Sequence, residues 1–234
     1  MTEPAATPPT APTGDPVPHL RLELDWRWSR PKPRPRLPKG EPRDDARPVR
    51  CVTGDGRTVS APADALPFAD GSVGAVEAGT IFAYVRADDR LAGEIRRILR
   101  PGGTVTVRVP STGPLAGVDA YNVFRYVTDV TGRGLRAFEV GELGWRRHYA
   151  AAEMVAMFGE ERFTVREQRR GGLALSELVR LAGQLAFRWL LPSGGRYRRV
   201  GKAADALERR ELGLAPRHGF WLTMTLEKTE PAAP

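Results

Sequence analysis

The sequence predicts an α/β protein whose sheet is at least partly parallel. A mostly apolar strand over 73–85, a helix over 88–103 and an alternating strand over 104–110 make a strand–helix–strand unit. Alternation of apolar and polar residues in 20–26 and 219–228 predicts further strands. The chain has 234 residues, 41% of them hydrophobic, which is enough for one sizeable core.

The helix of this unit is well delimited. Asp88 or Asp89 can cap its first turn with a carboxylate. Apolar residues recur at helical spacing on one face, namely Leu91, Ile95, Ile98 and Leu99. Pro101-Gly102-Gly103 is expected to end the helix. Glu94 with Arg97 or Arg100 is interpreted as a pair on the helix surface, which we expect to contribute little.

The remaining elements follow in chain order. Two short strands are predicted within 49–62, around a turn at Gly54-Asp55-Gly56. The other predictions are a helix over 148–159, a strand over 162–168, and helices over 173–191 and 200–212.

Charge and composition exclude several classes of protein. Lys and Arg total 36 against 28 Asp and Glu, for a net charge of +8. No run of 18 apolar residues or secretory signal is visible, so we expect a cytoplasmic protein. The single cysteine, Cys51, is interpreted as a buried strand residue. No metal site is expected, and the basic segments match no nucleic-acid motif, so nucleic-acid binding is not expected.

Proline and charge suggest the domain organisation. Residues 1–19 are rich in Pro, Thr and Ala and are predicted to be a disordered tail. One domain is predicted over 20–228, containing a Pro/Arg-rich arm at 27–48 and a helical insertion at 169–218 before the last strand. Residues 229–234 form a second tail.

Two sequence blocks carry a resemblance to a known family. Residues 64–72 read DALPFADGS, and residues 91–103 read LAGEIRRILRPGG. In this order and spacing they resemble the blocks before the fourth and fifth strands of class I S-adenosylmethionine-dependent methyltransferases, in particular the small-molecule, type 11-like branch. The ending over 146–168 and 219–228 resembles that family more loosely.

The resemblance implies a Rossmann-like methyltransferase sheet, mostly parallel, with an antiparallel C-terminal strand. It also implies a site for S-adenosylmethionine. Asp64, Ala65 and Leu66 occupy the position beside the adenine, where a carboxylate and a backbone N–H contact the base. The loop after the fourth strand covers the cofactor in the family, which points to Gly79 and Phe82.

The N-terminal part departs from the family. No glycine occurs between residues 20 and 39, so the glycine loop after the first strand is missing. Prolines in the following segment prevent the first helix, and only eight residues separate Gly56 from Asp64, which leaves no room for the second. Asp25 and Asp55 would have to replace the missing cofactor contacts. Asp55 can alternatively shape the turn.

The acceptor side is predicted after the fifth strand. Asn122, Arg125 and Tyr126 lie where the family carries substrate residues, and Tyr149 opens the next helix. His148 beside it is a candidate general base, because histidine titrates near neutral pH. A capping or surface role for His148 is the alternative.

Two functions stay open on the sequence. One is a divergent methyltransferase acting on a small molecule. The other is an inactive methyltransferase-fold protein that binds an anionic ligand or serves as scaffold for a homologous, active subunit. The apolar stripe and arginines of 173–202 fit a lid or subunit contact, and alternatively a peripheral contact with an anionic membrane.

Overall fold

A computed structural model describes residues 17–24, 48–85, 87–131, 146–191, 194–214 and 218–229. They form one seven-stranded sheet in the order β3-β2-β1-β4-β5-β7-β6. The strands are β1 Leu20–Leu24, β2 Pro48–Thr53, β3 Thr58–Pro62, β4 Val73–Gly79, β5 Leu99–Pro110, β6 Phe163–Gly171 and β7 Trp221–Lys228. The helices are α1 Asp88–Ile98, α2 Ala120–Thr131, α3 Ala151–Phe158, α4 Leu175–Gln184 and α5 Gly194–Glu211.

The centre of the sheet is parallel and its flanks are antiparallel. β1, β4 and β5 run in parallel, while β7 is antiparallel to both β5 and β6. On the other flank, β2 is antiparallel to β1 and β3. Five of the seven strands therefore point in one direction, with β2 and β7 reversed. This confirms the predicted Rossmann-like α/β sheet and its antiparallel C-terminal strand.

The reversal of β2 follows from the short connection to β3. Thr53 and Arg57 close a tight turn through the Thr53 N–H and the Arg57 carbonyl at 2.9 Å, and Gly56 supplies the positive φ of +85° that the turn needs. A turn of this length joins antiparallel strands only, since a parallel crossover takes a dozen or more residues. No helix intervenes between β2 and β3, as the sequence predicts. The predicted arm at 27–48 lies outside the described residues except for Pro48, which begins β2.

Some element boundaries differ from the predictions. The first helix ends at Ile98, and β5 begins at Leu99 instead of 104. The register passes from Val73 opposite Leu99 to Ala75 opposite Thr104, so the Pro-Gly-Gly segment is a bulge in the strand and not the end of the helix. The last helix starts at Gly194 rather than at 200, and it therefore includes Gly194 and Gly195.

Two further features were not predicted. Residues 120–131 form α2, a segment that the sequence analysis treats only as substrate-contacting. Val17, inside the predicted tail, pairs in parallel with Val73 and donates its N–H to the Ser72 carbonyl at 2.9 Å. The ordered domain therefore begins before residue 20.

The main hydrophobic core lies on one face of the sheet. α1 and α3 pack there through Leu91, Ile95 and Phe158, all fully buried. β5 alternates buried valines with half-buried residues, so its other face is less completely covered. A second, smaller cluster forms around Phe220 and Trp221, at the start of β7. After Gln184, α4 continues as a π-helical stretch over Leu185–Leu190, which together match the helix predicted over 173–191.

Candidate functional site

The carboxyl ends of β1, β3, β4 and β5 meet at one edge of the sheet, since these strands share a direction. Ligands of open α/β sheets bind at such an edge. Asp64, Ala65 and Leu66 follow β3, and Gly79 closes β4. Four of the residues assigned to the cofactor by resemblance are therefore brought to the same edge.

Three of these residues are engaged within the protein. The Asp64 carboxylate faces Arg90 Nη1 at 3.4 Å in an exposed ion pair. The Ala65 N–H donates to the Pro62 carbonyl at 3.2 Å, and the Leu66 N–H donates to Glu94 Oε2 at 2.8 Å. The carboxylate is weakly held, whereas both backbone donors already have acceptors.

Glu94 and Arg97 connect α1 to the loop after β3. Arg97 binds the Glu94 carboxylate at 2.8 and 2.9 Å and donates to the carbonyls of Leu66 and Phe68 at 3.0 and 2.7 Å. Its Nη1 also donates to Asp70 Oδ1 at 2.7 Å. The hydrogen bond from Arg97 lowers the pKa of Glu94 against the opposing effect of burial. The expectation of a minor surface pair is wrong, because these side chains hold the DALPFAD loop on the helix.

Asp55 does not reach this edge. Thr53 pairs with Leu20, so the turn after β2 lies where β1 begins. This is the edge of the sheet away from the carboxyl end of β4. The Asp55 carboxylate accepts hydrogen bonds from the Thr53 hydroxyl and from the Arg57 N–H, the latter at 3.2 Å. Both lower its pKa. Its contacts are those of a turn-shaping residue. Asp25, the other predicted replacement, lies outside the described residues.

Phe82 and Tyr149 form part of the core. Phe82 lies in the 3₁₀ turn Ile81–Ala83 with its side chain fully buried. The Tyr149 hydroxyl lies 2.8 Å from both the Phe82 carbonyl and Asp88 Oδ2. Burial, followed by the hydrogen bond to Asp88, raises the pKa of Tyr149. These two bonds anchor the turn after β4. Tyr149 does not line the cavity described below, and its place in a substrate pocket stays a prediction.

The substrate residues predicted on α2 differ in their surroundings. The Asn122 side chain accepts from the Arg146 N–H and donates to the Arg146 carbonyl, both at 2.8 Å, which fixes the chain before α3. Tyr126 is 62% exposed. Arg125 is half-buried, and neither Arg125 nor Tyr126 lines the cavity described below. α2 contributes Ala120 and Tyr121 to that cavity instead.

His148 forms a pair with a buried carboxylate. Its Nε2 lies 2.9 Å from Asp119 Oδ2, and its ring makes an edge contact with Phe220. Burial would raise the pKa of Asp119, but the hydrogen bond from His148 and the charge of Arg146 outweigh it, and the pKa is lowered. His148 does not line the cavity. A role as general base remains a prediction.

The buried centre of this region is Arg146, a residue that the sequence analysis did not identify. Its Nε donates to Asp119 Oδ2 at 2.6 Å, and its Nη2 lies 2.8 Å from Glu177 Oε2. Glu177 also accepts the Ala120 N–H at 3.0 Å at the start of α2. Burial raises the pKa of Glu177 in spite of Arg146. Three elements distant in sequence are thus joined by one ionic cluster.

A cavity of about 470 Å³ opens beside this cluster. It lies between the sheet and the helices α2, α4 and α5, and it reaches Thr80 and Tyr84 just after β4. Its walls carry three arginines, three acids and three aromatic residues: Arg108, Arg146, Arg180, Glu177, Asp205, Glu208, Tyr84, Tyr121 and Trp221. Arg180 on α4 also lines the cavity, and it pairs with Asp205 at 2.8 Å and with Glu208 at 2.5 Å, both on α5.

The outer surface of the α4 region keeps several exposed leucines, among them Leu178 at 46% and Leu190 at 66%. The predicted lid, subunit contact or membrane contact through 173–202 stays a prediction. Within the described residues, no helix combines the length and apolar character needed to cross a bilayer.

Residues 43–107 match the family model described as "Methyltransferase domain". The match contains both sequence blocks that carried the resemblance, and it confirms that resemblance. Over these residues the chain is similar to a methyltransferase domain. None of the proteins of curated function matches the chain.

Solved structures similar to the chain include the [4+2]-cyclase SpnF, at 19% identity and a TM-score of 0.44. SAM-dependent methyltransferases from Methanosarcina mazei and Thermotoga maritima follow, at 16% and 14% identity and TM-scores of 0.41 and 0.39. The matches cover 74%, 72% and 72% of this chain, respectively. The chain spans 56%, 65% and 62% of those structures.

Several of the groups that the resemblance assigns to S-adenosylmethionine make contacts within the protein. The adenine-side N–H groups of Ala65 and Leu66 donate within the protein. The ribose-side acid would stand at the end of the second strand, and reversal of that strand puts Asp55 at the opposite edge. Of the three residues on the adenine side, Asp64 alone is held by a side-chain ion pair and not through its backbone N–H.

Proposed function

We propose that this protein binds a small molecule in the cavity beside Arg146, on a methyltransferase-type fold whose cofactor contacts have been replaced by internal ones. The cavity carries the proposal. Its volume of about 470 Å³ lies in the range of small-molecule sites, and its walls combine aromatic faces with a few charged groups. It also adjoins the carboxyl ends of β4 and β5, the part of an α/β sheet where ligands bind.

A plug of the cavity tests this proposal. A Cβ atom added at Gly201, a cavity residue on α5, meets no atom of a neighbouring element within 4 Å, so we expect Gly201→Leu to occupy ligand space. Gly195 on the same helix is exposed and equally unobstructed, which makes Gly195→Leu the matched control. A metabolite library is screened by the shift in melting temperature. Some compounds should raise the melting temperature of the wild type and of Gly195→Leu, but not that of Gly201→Leu. A library without any such compound contradicts the proposal.

A divergent S-adenosylmethionine-dependent methyltransferase acting on a small molecule is the second candidate. The match over residues 43–107 favours it. For cofactor binding, the Asp64 carboxylate would have to leave its ion pair with Arg90 and accept a hydrogen bond from the adenine. The Ala65 N–H would have to give up its hydrogen bond to the Pro62 carbonyl. The bound cofactor would supply an electrophilic methyl group, and the cavity would hold the acceptor.

Calorimetric titration with S-adenosylmethionine and S-adenosylhomocysteine separates the two candidates. The first predicts no heat of binding up to about 1 mM cofactor. Micromolar binding that Asp64→Ala abolishes and Asp55→Ala preserves would establish the second. Asp55→Ala is a suitable control because both carboxylates are exposed and they lie at opposite edges of the sheet.

A further inference from the structure

Unpaired polar atoms concentrate at the cavity. In the described part of the chain, four buried side-chain atoms without a hydrogen-bond partner belong to residues lining this cavity: Arg108 Nε, Arg180 Nε, Glu177 Oε1 and Gln184 Oε1. Arg146 Nη2, beside them, is ion-paired with Glu177 Oε2 at 2.8 Å. Buried polar groups in proteins are almost always satisfied, so a cluster of exceptions indicates a place where something else supplies the hydrogen bonds.

The unpaired atoms include both acceptors and donors. Glu177 Oε1 and Gln184 Oε1 are acceptors on α4, seven positions and therefore about two turns apart on one helix face. Both residues are more than nine-tenths buried, with 1% and 7% exposure. Glu177 Oε1 lies 3.8 Å from Arg180 Nε, too far for a direct hydrogen bond. Both acceptor oxygens are therefore available to a donor group of a ligand.

The opposite wall supplies the donors. Arg108 on β5 has an unpaired Nε, and its guanidinium lies 5.4 Å from the centre of the Trp221 ring. Arg146 also faces Trp221, at 5.6 Å. The Arg108 guanidinium favours an anionic group, whereas the open acceptor oxygens Glu177 Oε1 and Gln184 Oε1 favour a hydrogen-bond donor.

Formal charges on the walls cancel. Three guanidinium groups face three carboxylates, those of Glu177, Asp205 and Glu208. A ligand with a large net charge, such as a polyphosphate, would leave an excess charge in a partly enclosed site. A molecule with one positive and one negative group keeps the balance.

From this arrangement we infer that the cavity binds an amino-acid-type zwitterion, its ammonium group donating to Glu177 and Gln184 and its carboxylate accepting from Arg108. The inference rests on the proposed small-molecule site and specifies the chemical class of its ligand. The aromatic residues Tyr84 and Tyr121 supply apolar wall for the rest of the molecule.

Thermal shift and calorimetry with the proteinogenic amino acids, each at up to about 10 mM, provide the test. At least one should bind. For that amino acid, the matching decarboxylated amine and deaminated acid should each bind about tenfold more weakly, because each lacks one charged group. Equal affinity of the amine or the acid alone would overturn the inference, as would failure of every amino acid to bind.

The variant Gln184→Leu assigns the binding to the cavity. Since Gln184 Oε1 has no partner, its removal should leave the fold intact, which the melting temperature checks. Affinity for the zwitterion and the amine should fall about tenfold, and affinity for the acid should not change. Gln168→Leu, on the exposed part of β6, is the control. If Gln184→Leu unfolds, Gln184→Met serves the same purpose.

Failure of this inference differs from failure of the proposed function. A ligand that is not a zwitterion, but whose binding Gly201→Leu abolishes, would refute the zwitterion and keep the site. Absence of any ligand sensitive to Gly201→Leu would refute both.

Discussion

Replacing Arg97 by methionine should destabilise the protein far more than its position on a helix surface suggests. The Arg97 side chain is only 33% exposed, and its guanidinium holds the loop after β3 against α1. It donates to two backbone carbonyls, those of Leu66 and Phe68, and to the carboxylate of Glu94. Methionine keeps the aliphatic stem of the side chain and removes every one of these donors.

The expected loss can be worked out from these contacts. A hydrogen bond to a charged group contributes about 1.5–3 kcal/mol, and partial exposure reduces this to about 1 kcal/mol for each of the three partners. The bond to Asp70 adds little, because that side chain is 81% exposed. The sum is about 3 kcal/mol, which corresponds to a fall in melting temperature of roughly 6–12 °C for a chain of this size.

Urea unfolding at 25 °C measures the free energy of unfolding directly. Arg90→Met is the matched control, since Arg90 lies on the same helix, is 68% exposed and makes one ion pair, with Asp64 at 3.4 Å. It should lose less than about 0.5 kcal/mol. If Arg97→Met and Arg90→Met unfold within error of each other, the role assigned to Arg97 is refuted.

The same contacts set a pH dependence. The pKa of Glu94 is lowered in the folded protein, so its contribution to stability is present above the unfolded pKa near 4.5 and is lost as pH falls through the folded value. Glu94→Gln should remove this part of the acid destabilisation. Unfolding curves at neutral and acid pH that change equally in wild type and variant would contradict this.

Three other substitutions or reactions test the fold. Glu211 accepts three backbone N–H groups at the start of α4 at 3.0–3.1 Å. Glu211→Gln should therefore lower the free energy of unfolding, measured by urea unfolding, by about 1–2 kcal/mol. Glu161→Gln, at an exposed position, is the control and should leave it unchanged. Burial raises the pKa of the Cys51 thiol to about 12, so a disulfide reagent should modify it only after unfolding, followed by absorbance. A side chain at Gly183 would come within 2.4 Å of Val200, so Gly183→Ala should lower the melting temperature, with a loss of roughly 2 kcal/mol, and the added Val200→Ala should restore part of it.

Local signals predicted the centre of the fold well. The apolar face and the acidic first turn of α1 are local features, and the strand–helix–strand order requires parallel neighbours. The short spacing between Gly56 and Asp64 likewise predicted the missing helix. α2 was not predicted, although an Asp before an apolar segment is a typical start of a helix. In the structure Asp119 caps α2, because its Oδ1 accepts the Asn122 N–H at 3.0 Å.

The candidate site was less predictable, because its contacts join distant residues. Asp119 and Arg146 are 27 positions apart, and Glu177 belongs to a third element. Nothing in the spacing of a single arginine shows that a fold will bury it between two carboxylates. Glu94 and Arg97 show a related difficulty. Helical periodicity predicts their neighbours on α1, but it does not predict that the loop after β3 packs against them.

The family match and the cavity involve largely different parts of the chain. The part that matches the methyltransferase domain, residues 43–107, contains β2, β3, β4 and most of β5, and with them part of the edge at which ligands of such folds bind. The cavity depends mainly on α2, α4 and α5, which follow that part and share none of its sequence signals. Reversal of β2 places Asp55 at the opposite edge of the sheet from the carboxyl end of β4. The proposed ligand cavity does not depend on the position of Asp55, and we expect the choice of ligand to reside mainly in the residues that the family match does not reach.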